Sequence, residues 1–218
     1  MAEIRVVVRP YASALPLGFF AFGIGMLLLG GSANGWLHPS DRHTVGLLLA
    51  SFIFPLELLA AGLAFLARDT FGATGLGLFS TSWLAIGLAD LSSSQDSLSR
   101  AVGLYQFGFA LTILLLAVAA FGGKPLIGVI LLLSAVRGAL AGVHEWGGPA
   151  AAFTASGWLG VAIFALAMYG GVAFLLEDVQ KAAVLPVFRR GASKESLEGD
   201  LTAQLRQLGD EAGVRQTL

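Results

Sequence analysis

Cysteine is absent from this 218-residue chain. Without it there is no disulfide, no thiolate metal site and no cysteine nucleophile, although nothing follows about compartment. Charge is scarce as well. Asp, Glu, Lys and Arg make up 12% of residues, about half the share of a soluble domain. The formal net charge is −1, so there is no polybasic excess to suggest a nucleic-acid partner. No His-x-x-x-His or HExxH pattern occurs, and nothing in the sequence reads as a metal site or a cofactor motif. A nucleophile elbow and a phosphate-cradling loop are also missing, which argues against an enzyme. The opening "MAEIRVVVRPYAS" lacks the apolar core and cleavage site of a signal peptide.

What is present is apolar. Hydrophobic residues reach 56% with 29 glycines, and mean hydropathy is +0.79. A spanning helix needs about 20 mostly apolar residues. Six such runs occur, at about 15–35, 43–67, 71–91, 101–121, 125–143 and 151–176. Short polar breaks such as "HPSDRH", "SSSQDSLSR" and "HEWGGP" separate them. A β-barrel is excluded, because barrel strands alternate apolar and polar in about ten-residue pieces. The expectation is an all-α polytopic membrane protein, six transmembrane helices in one bundle over residues 1–192. Residues 193–218 form a polar tail, with Leu197, Leu201, Leu205 and Leu208 at helical spacing. That tail is an amphipathic helix or a solvated end. If both termini face the cytoplasm, Arg5, Arg9, Arg68, Lys124, Lys181, Arg189, Arg190 and Lys194 lie on that side, against Arg42 and Arg100 opposite. The asymmetry supports both ends inside, and the expected location is the plasma membrane.

Two charges interrupt the apolar runs. Glu57 stands beside Pro55 in "SFIFPLELLAAG", and Arg137 lies about ten residues into the fifth run, in "LLLSAVRGALAG". An ionisable group at membrane depth costs about 2.5 kcal/mol or more and faces protein or water. The simplest arrangement is an ion pair between the two. Alternatively Arg137 faces the path and attracts anions, or it snorkels to an interface. Glu57, if it keeps its proton, can donate a hydrogen bond and carry a coupling proton.

Other features have bland and sharp readings. Gly72, Gly75 and Gly77 suit either close helix packing or a thin pore wall. Ser80, Thr81 and Ser82 are expected to bond back to their own helix. Asp90, His144 and Glu145 are expected at hydrated outer mouths. Trp36, Trp146 and Trp158 fit an interfacial belt, while Trp83 is deeper and is expected to pack on the sixth helix.

Three stretches, "LPLGFFAFG" (15–23), "DTFGATGLGLFSTSWL" (69–84) and "SGWLGVAIFALAMYGGVAFLLEDVQKAAVLP" (156–186), resemble the acetate uptake transporter family. The resemblance runs in order over about residues 13–186. The matching motif residues are Pro16, Leu17, Gly18, Thr70, Phe71, Gly72, Trp83, Gly157 and Trp158. There are departures. Asp69 stands where the family has Asn, Phe79 where it has Tyr, and Glu57 where it has Gln. The resemblance implies a ring-forming oligomer, a homo-hexamer, each subunit with its own path. It implies passage of small monocarboxylates such as acetate, with succinate as a further substrate, linked to a proton. By position it implies a hydrophobic constriction of Phe22 and Phe79, with Leu133 as a third candidate. The competing reading is a neutral-solute channel for urea, short amides or ammonia, made credible by the lost tyrosine and glutamine.

Overall fold

The computed structural model describes residues 12–67, 69–92, 98–180, 182–191 and 193–194. Among these, six apolar helices are long enough to cross a membrane: α1 (Leu15–Ala33), α2 (Pro39–Leu66), α3 (Thr70–Ser92), α4 (Arg100–Phe121), α5 (Pro125–Glu145) and α6 (Ala150–Gln180). Successive helices run in opposite directions. The bundle therefore has a near end, where α1 begins, and a far end, where it stops. The last helix extends past the sequence expectation. At 31 residues it is about 46 Å long, well over the 30 Å of hydrocarbon.

The helix ends follow from local chemistry. Pro16 and Pro125 sit in first turns, where a missing N–H costs nothing. Asp69 caps α3, its Oδ1 accepting the Gly72 N–H at 2.9 Å. Asp serves this role as well as Asn, so the family's Asn has a local replacement. The Ser99 hydroxyl caps α4 by accepting the Val102 N–H. Inside α2 the residues Leu49–Ile53 widen into a π-turn just ahead of Pro55. Proline removes one helical donor and crowds the carbonyl four residues back, and an inserted wide turn relieves both. Leu49, Ile53, Glu57, Ala60 and Ala64 then form one buried stripe, spaced by three or four residues.

Three antiparallel pairs, α2–α3, α4–α5 and α1–α6, pack most closely, and α1 also meets α2. Each pair is pinched by glycines near the far end. A Cβ on Gly46 would lie 2.7 Å from the Gly87 carbonyl oxygen, and one on Gly87 would lie 2.7 Å from that of Gly46. Gly103 and Gly142 oppose each other in the same reciprocal way at 3.1 Å, and Gly30 approaches the Gly157 carbonyl at 3.0 Å. Only glycine permits such backbone approach, which in lipid replaces the hydrophobic effect as the source of association. The outer surface carries exposed apolar side chains such as Leu104, Leu115, Val118 and Phe65, as a lipid-facing surface requires.

After α6 the chain turns back over the near end. Arg190 N–H donates to the Gly123 carbonyl at 2.8 Å and Tyr169 Oη–H to the Pro186 carbonyl at 2.9 Å. Val187 is buried, and Arg189 pairs with Glu177. Val187, Arg189 and Arg190 thus fasten this segment to the bundle. The four tail leucines, and Arg5, Arg9, Arg68 and Lys181, lie outside the described residues.

Candidate functional site

A cavity of about 50 Å³ opens between α1, α3 and α5 in the near half. Leu15, Gly18, Phe19 and Phe22 come from α1; Phe71, Gly72, Gly75, Leu76 and Phe79 from α3; Ile127, Ile130 and Leu131 from α5. Asp69 and Lys124 supply the charged lining, and both stand at the near end, just before α3 and α5 begin. Gly18 leaves room for the Leu76 side chain, and Gly75 has open space where a Cβ would stand. A water needs about 10–15 Å³ of such space, so the cavity holds roughly four water-sized groups. That is the size of a two-carbon acid.

The cavity stops at two phenylalanines. The rings of Phe22 and Phe79 meet edge to face with centroids 4.7 Å apart, a favourable arrangement for ring quadrupoles. Phe109 of α4 packs against Phe79 at 5.2 Å and Trp83 against Phe22 at 6.0 Å. The closure is therefore an aromatic cluster from three helices. Leu133 is half-buried against the core and is not among the lining residues. Ile127, Ile130 and Leu131 take the lining positions on α5, because that helix turns Leu133 away from them.

Trp83 packs on α1, its ring 3.0 Å from the position of a Cβ on Gly25. The expected partner was α6, but α3 is next to α2 and α1 in the bundle and α6 is on the other side of α1. Trp83 also brings its indole N–H towards the Glu57 carboxyl. Glu57 is fully buried, and neither of its oxygens nor Trp83 Nε1 completes a hydrogen bond.

Arg137 is 7% exposed, with Nε sealed and unpartnered. It makes no ion pair with Glu57, contrary to the simplest sequence expectation. The reason is topological: α2 and α5 do not touch. Arg137 lies instead against the α1–α6 crossing, Nε being 3.4 Å from where a Cβ on Gly160 would stand. Snorkelling is also excluded by its burial.

The remaining polar residues have structural work. Ser80 and Thr81 donate to the Gly77 carbonyl at 2.9 and 3.1 Å, and Ser134 to that of Ile130 at 2.7 Å. Asp90 and Glu145 are half-buried at the far end, each with a partner. Arg42 Nε–H donates to Asp90 Oδ1 at 2.8 Å, and the Ser99 N–H donates to Glu145 Oε2 at 2.7 Å. His144 stacks on Phe153, centroids 4.5 Å apart. Among the described residues no group of three or more His, Cys, Asp or Glu is placed to hold a metal. Trp158 meets Trp36 at 5.9 Å on the exposed far end, and Gly157 is packed against Asn34.

A six-helix membrane bundle with a small apolar cavity, ended by paired aromatic rings, invites comparison with known proteins. The model of the GPR1/FUN34/yaaH family matches residues 3–189. The chain belongs to that family. The resemblance to acetate uptake transporters read from the sequence is thereby borne out. A protein of Methanothermobacter thermautotrophicus, itself uncharacterised, is 26% identical over 204 residues, covering 85% of this chain and 96% of that one. Among solved structures, the bacterial acetate channel SatP superposes with a TM-score of 0.73 at 21% identity. It covers 81% of this chain and 99% of its own. At that identity the likeness establishes the fold.

Proposed function

We propose that this protein passes small monocarboxylates of the size of acetate across the plasma membrane, in a proton-linked step, through one path in each subunit. The observation that carries the reading is the apolar cavity of about 50 Å³ ended by Phe22 and Phe79. The name of its structural relative, an acetate channel, points the same way.

The chemistry of the closure sets the protonation state. Moving a bare carboxylate past two phenyl rings without a partner is very costly, whereas the neutral acid loses only its hydrogen bonds. Acetic acid therefore crosses the closure and acetate does not. Glu57, buried beside the closure with no hydrogen bond of its own, is the group proposed to carry the coupling proton. Succinate carries a second carboxyl that must also lose its water in the apolar lining, so acetate is the favoured substrate. Urea fits by size, but the lining offers its four N–H bonds almost no acceptors, and this disfavours the neutral-solute reading.

Lys124, Arg189, Arg190 and Lys194 at the near end, against Arg42 and Arg100 at the far end, support a cytoplasmic near end. The ring-forming homo-hexamer remains part of the proposal through the family resemblance. Uptake of labelled acetate and labelled urea into proteoliposomes tests the reading. Acetate uptake should exceed urea uptake and rise as the outer pH falls, because more acid is then neutral. Glu57→Gln should flatten that pH response while the protein still folds. Urea entering faster than acetate would overturn the proposal.

A further inference from the structure

We infer that Arg137 is a carboxylate-binding station on the far side of the aromatic closure, where an anion waits before it is protonated. This rests on the reading of the protein as a passage for short carboxylic acids, and adds a charged site to a route otherwise built from apolar groups.

The position of Arg137 follows from helix geometry. It lies seven residues beyond Ile130, which lines the cavity. Seven residues are nearly two full turns, so Arg137 shares the face of Ile130 and stands about 10 Å further towards the far end. Phe22 and Phe79 end the cavity before that level. Arg137 is thus at the α6-facing edge of the cavity-lining face of α5, about two turns past Ile130.

Its surroundings lack a counter-charge. Among the described carboxylates, Asp90 is held by Arg42 and Glu177 by Arg189. Asp41 accepts from the His38 N–H, Asp69 from the Gly72 N–H and Glu145 from the Ser99 N–H. Asp178 also has a partner. Glu57 belongs to α2, which does not touch α5. Yet Arg137 is more than nine-tenths buried and its Nε has no acceptor. A buried charge with no partner is very costly, and an arginine stays charged in proteins. A small anion from outside the chain would supply the counter-charge that the described residues do not.

The nearest groups around it are small or polar. Gly160 faces Nε on one side, where a Cβ would stand at 3.4 Å. Gln106, buried on α4, has its Oε1 3.6 Å from where a Cβ on Gly138, the residue after Arg137, would stand. A guanidinium presents paired N–H donors in a plane that matches the two oxygens of a carboxylate, a fit that chloride or an uncharged amide does not reproduce. Held there, acetate gains a high local concentration next to the closure. It then needs one proton to become the neutral acid that crosses, and the carboxylate–guanidinium contacts are released as that proton arrives.

The test uses the full-length protein in detergent at neutral pH. Its melting temperature is followed against sodium acetate, sodium chloride and acetamide. Acetate should stabilise the wild type more than equal chloride or acetamide. Arg137→Gln should shift the half-saturating acetate concentration upward by about tenfold or more, the loss of a charge-assisted pair. Arg137→Lys should keep the charge but weaken acetate binding several-fold, because an ammonium cannot reproduce the paired contacts. That variant keeps the test open if Arg137→Gln fails to fold. An acetate response unchanged in either variant, or a wild-type response no greater than that to chloride, overturns the station. Acetate uptake into proteoliposomes is measured in parallel. Uptake without acetate-specific stabilisation sinks the station alone; stabilisation without uptake sinks the transport reading alone.

Discussion

At the far end of the bundle, glycines of all three tight helix pairs bring an ideal Cβ within 3.1 Å of a backbone oxygen of the partner helix. At the near end, the glycines of the same helices face side chains: Gly170 meets the Phe19 ring at 2.8 Å and Gly171 the Phe20 ring at 2.6 Å. The near half is therefore held apart by the thickness of aromatic and leucine side chains, and that spacing leaves the cavity. The far half is drawn together until backbones touch. Since both halves belong to the same six rods, the difference lies in where the small residues pair across a crossing. A cavity in the near half and closer helix packing in the far half follow from that placement, with Phe22 and Phe79 between the two.

The largest expected break in this contrast comes from the boundary itself. Phe22→Ala should destabilise the protein by about 3 kcal/mol or more, as for other buried phenylalanines. It should also admit solutes larger than acetate, read as propionate and butyrate uptake relative to acetate. Next is the far end. Gly46→Ala places a methyl 2.7 Å from the Gly87 carbonyl, so the α2–α3 crossing must open. A loss of about 1–3 kcal/mol is expected in a denaturant titration in mixed micelles, the usual cost of overpacking. Asp90→Asn removes the charge from the partly buried Arg42 pair that ties α2 to α3 at the same end, and should lose about 1 kcal/mol. The smallest effect belongs to a glycine outside any crossing. Gly62 has nothing within 4 Å of an ideal Cβ, and Gly62→Ala should stay within about 0.5 kcal/mol of wild type. Similar losses at Gly46 and Gly62 would remove the distinction between paired and unpaired glycines.

The helices were legible because length and apolarity alone decide a span. The cap at Asp69 and the irregularity ahead of Pro55 are likewise local matters of side-chain and backbone chemistry. Azimuth and neighbour were not legible. Glu57 and Arg137 read as a pair because both are buried charges, but sequence position does not say that α2 and α5 stand apart. Trp83 read as a partner of α6 for the same reason. Leu133 was placed by position on a helix where the match was weak, and the structure lines the cavity with Ile130 and Leu131 instead. The reciprocal glycines were visible as single residues, but which ones oppose each other depends on the order of helices around the bundle.

One-sided access to the cavity tests the account most directly, and the lack of native cysteine makes it clean. Gly75 lines the cavity and has open space at its Cβ position, so Gly75→Cys introduces a lone thiol there. In sealed vesicles of known orientation, a small membrane-impermeant thiol reagent should modify it from the near-end face only, and acetate should slow the reaction. Modification from the far-end face at a comparable rate would contradict the closure at Phe22 and Phe79.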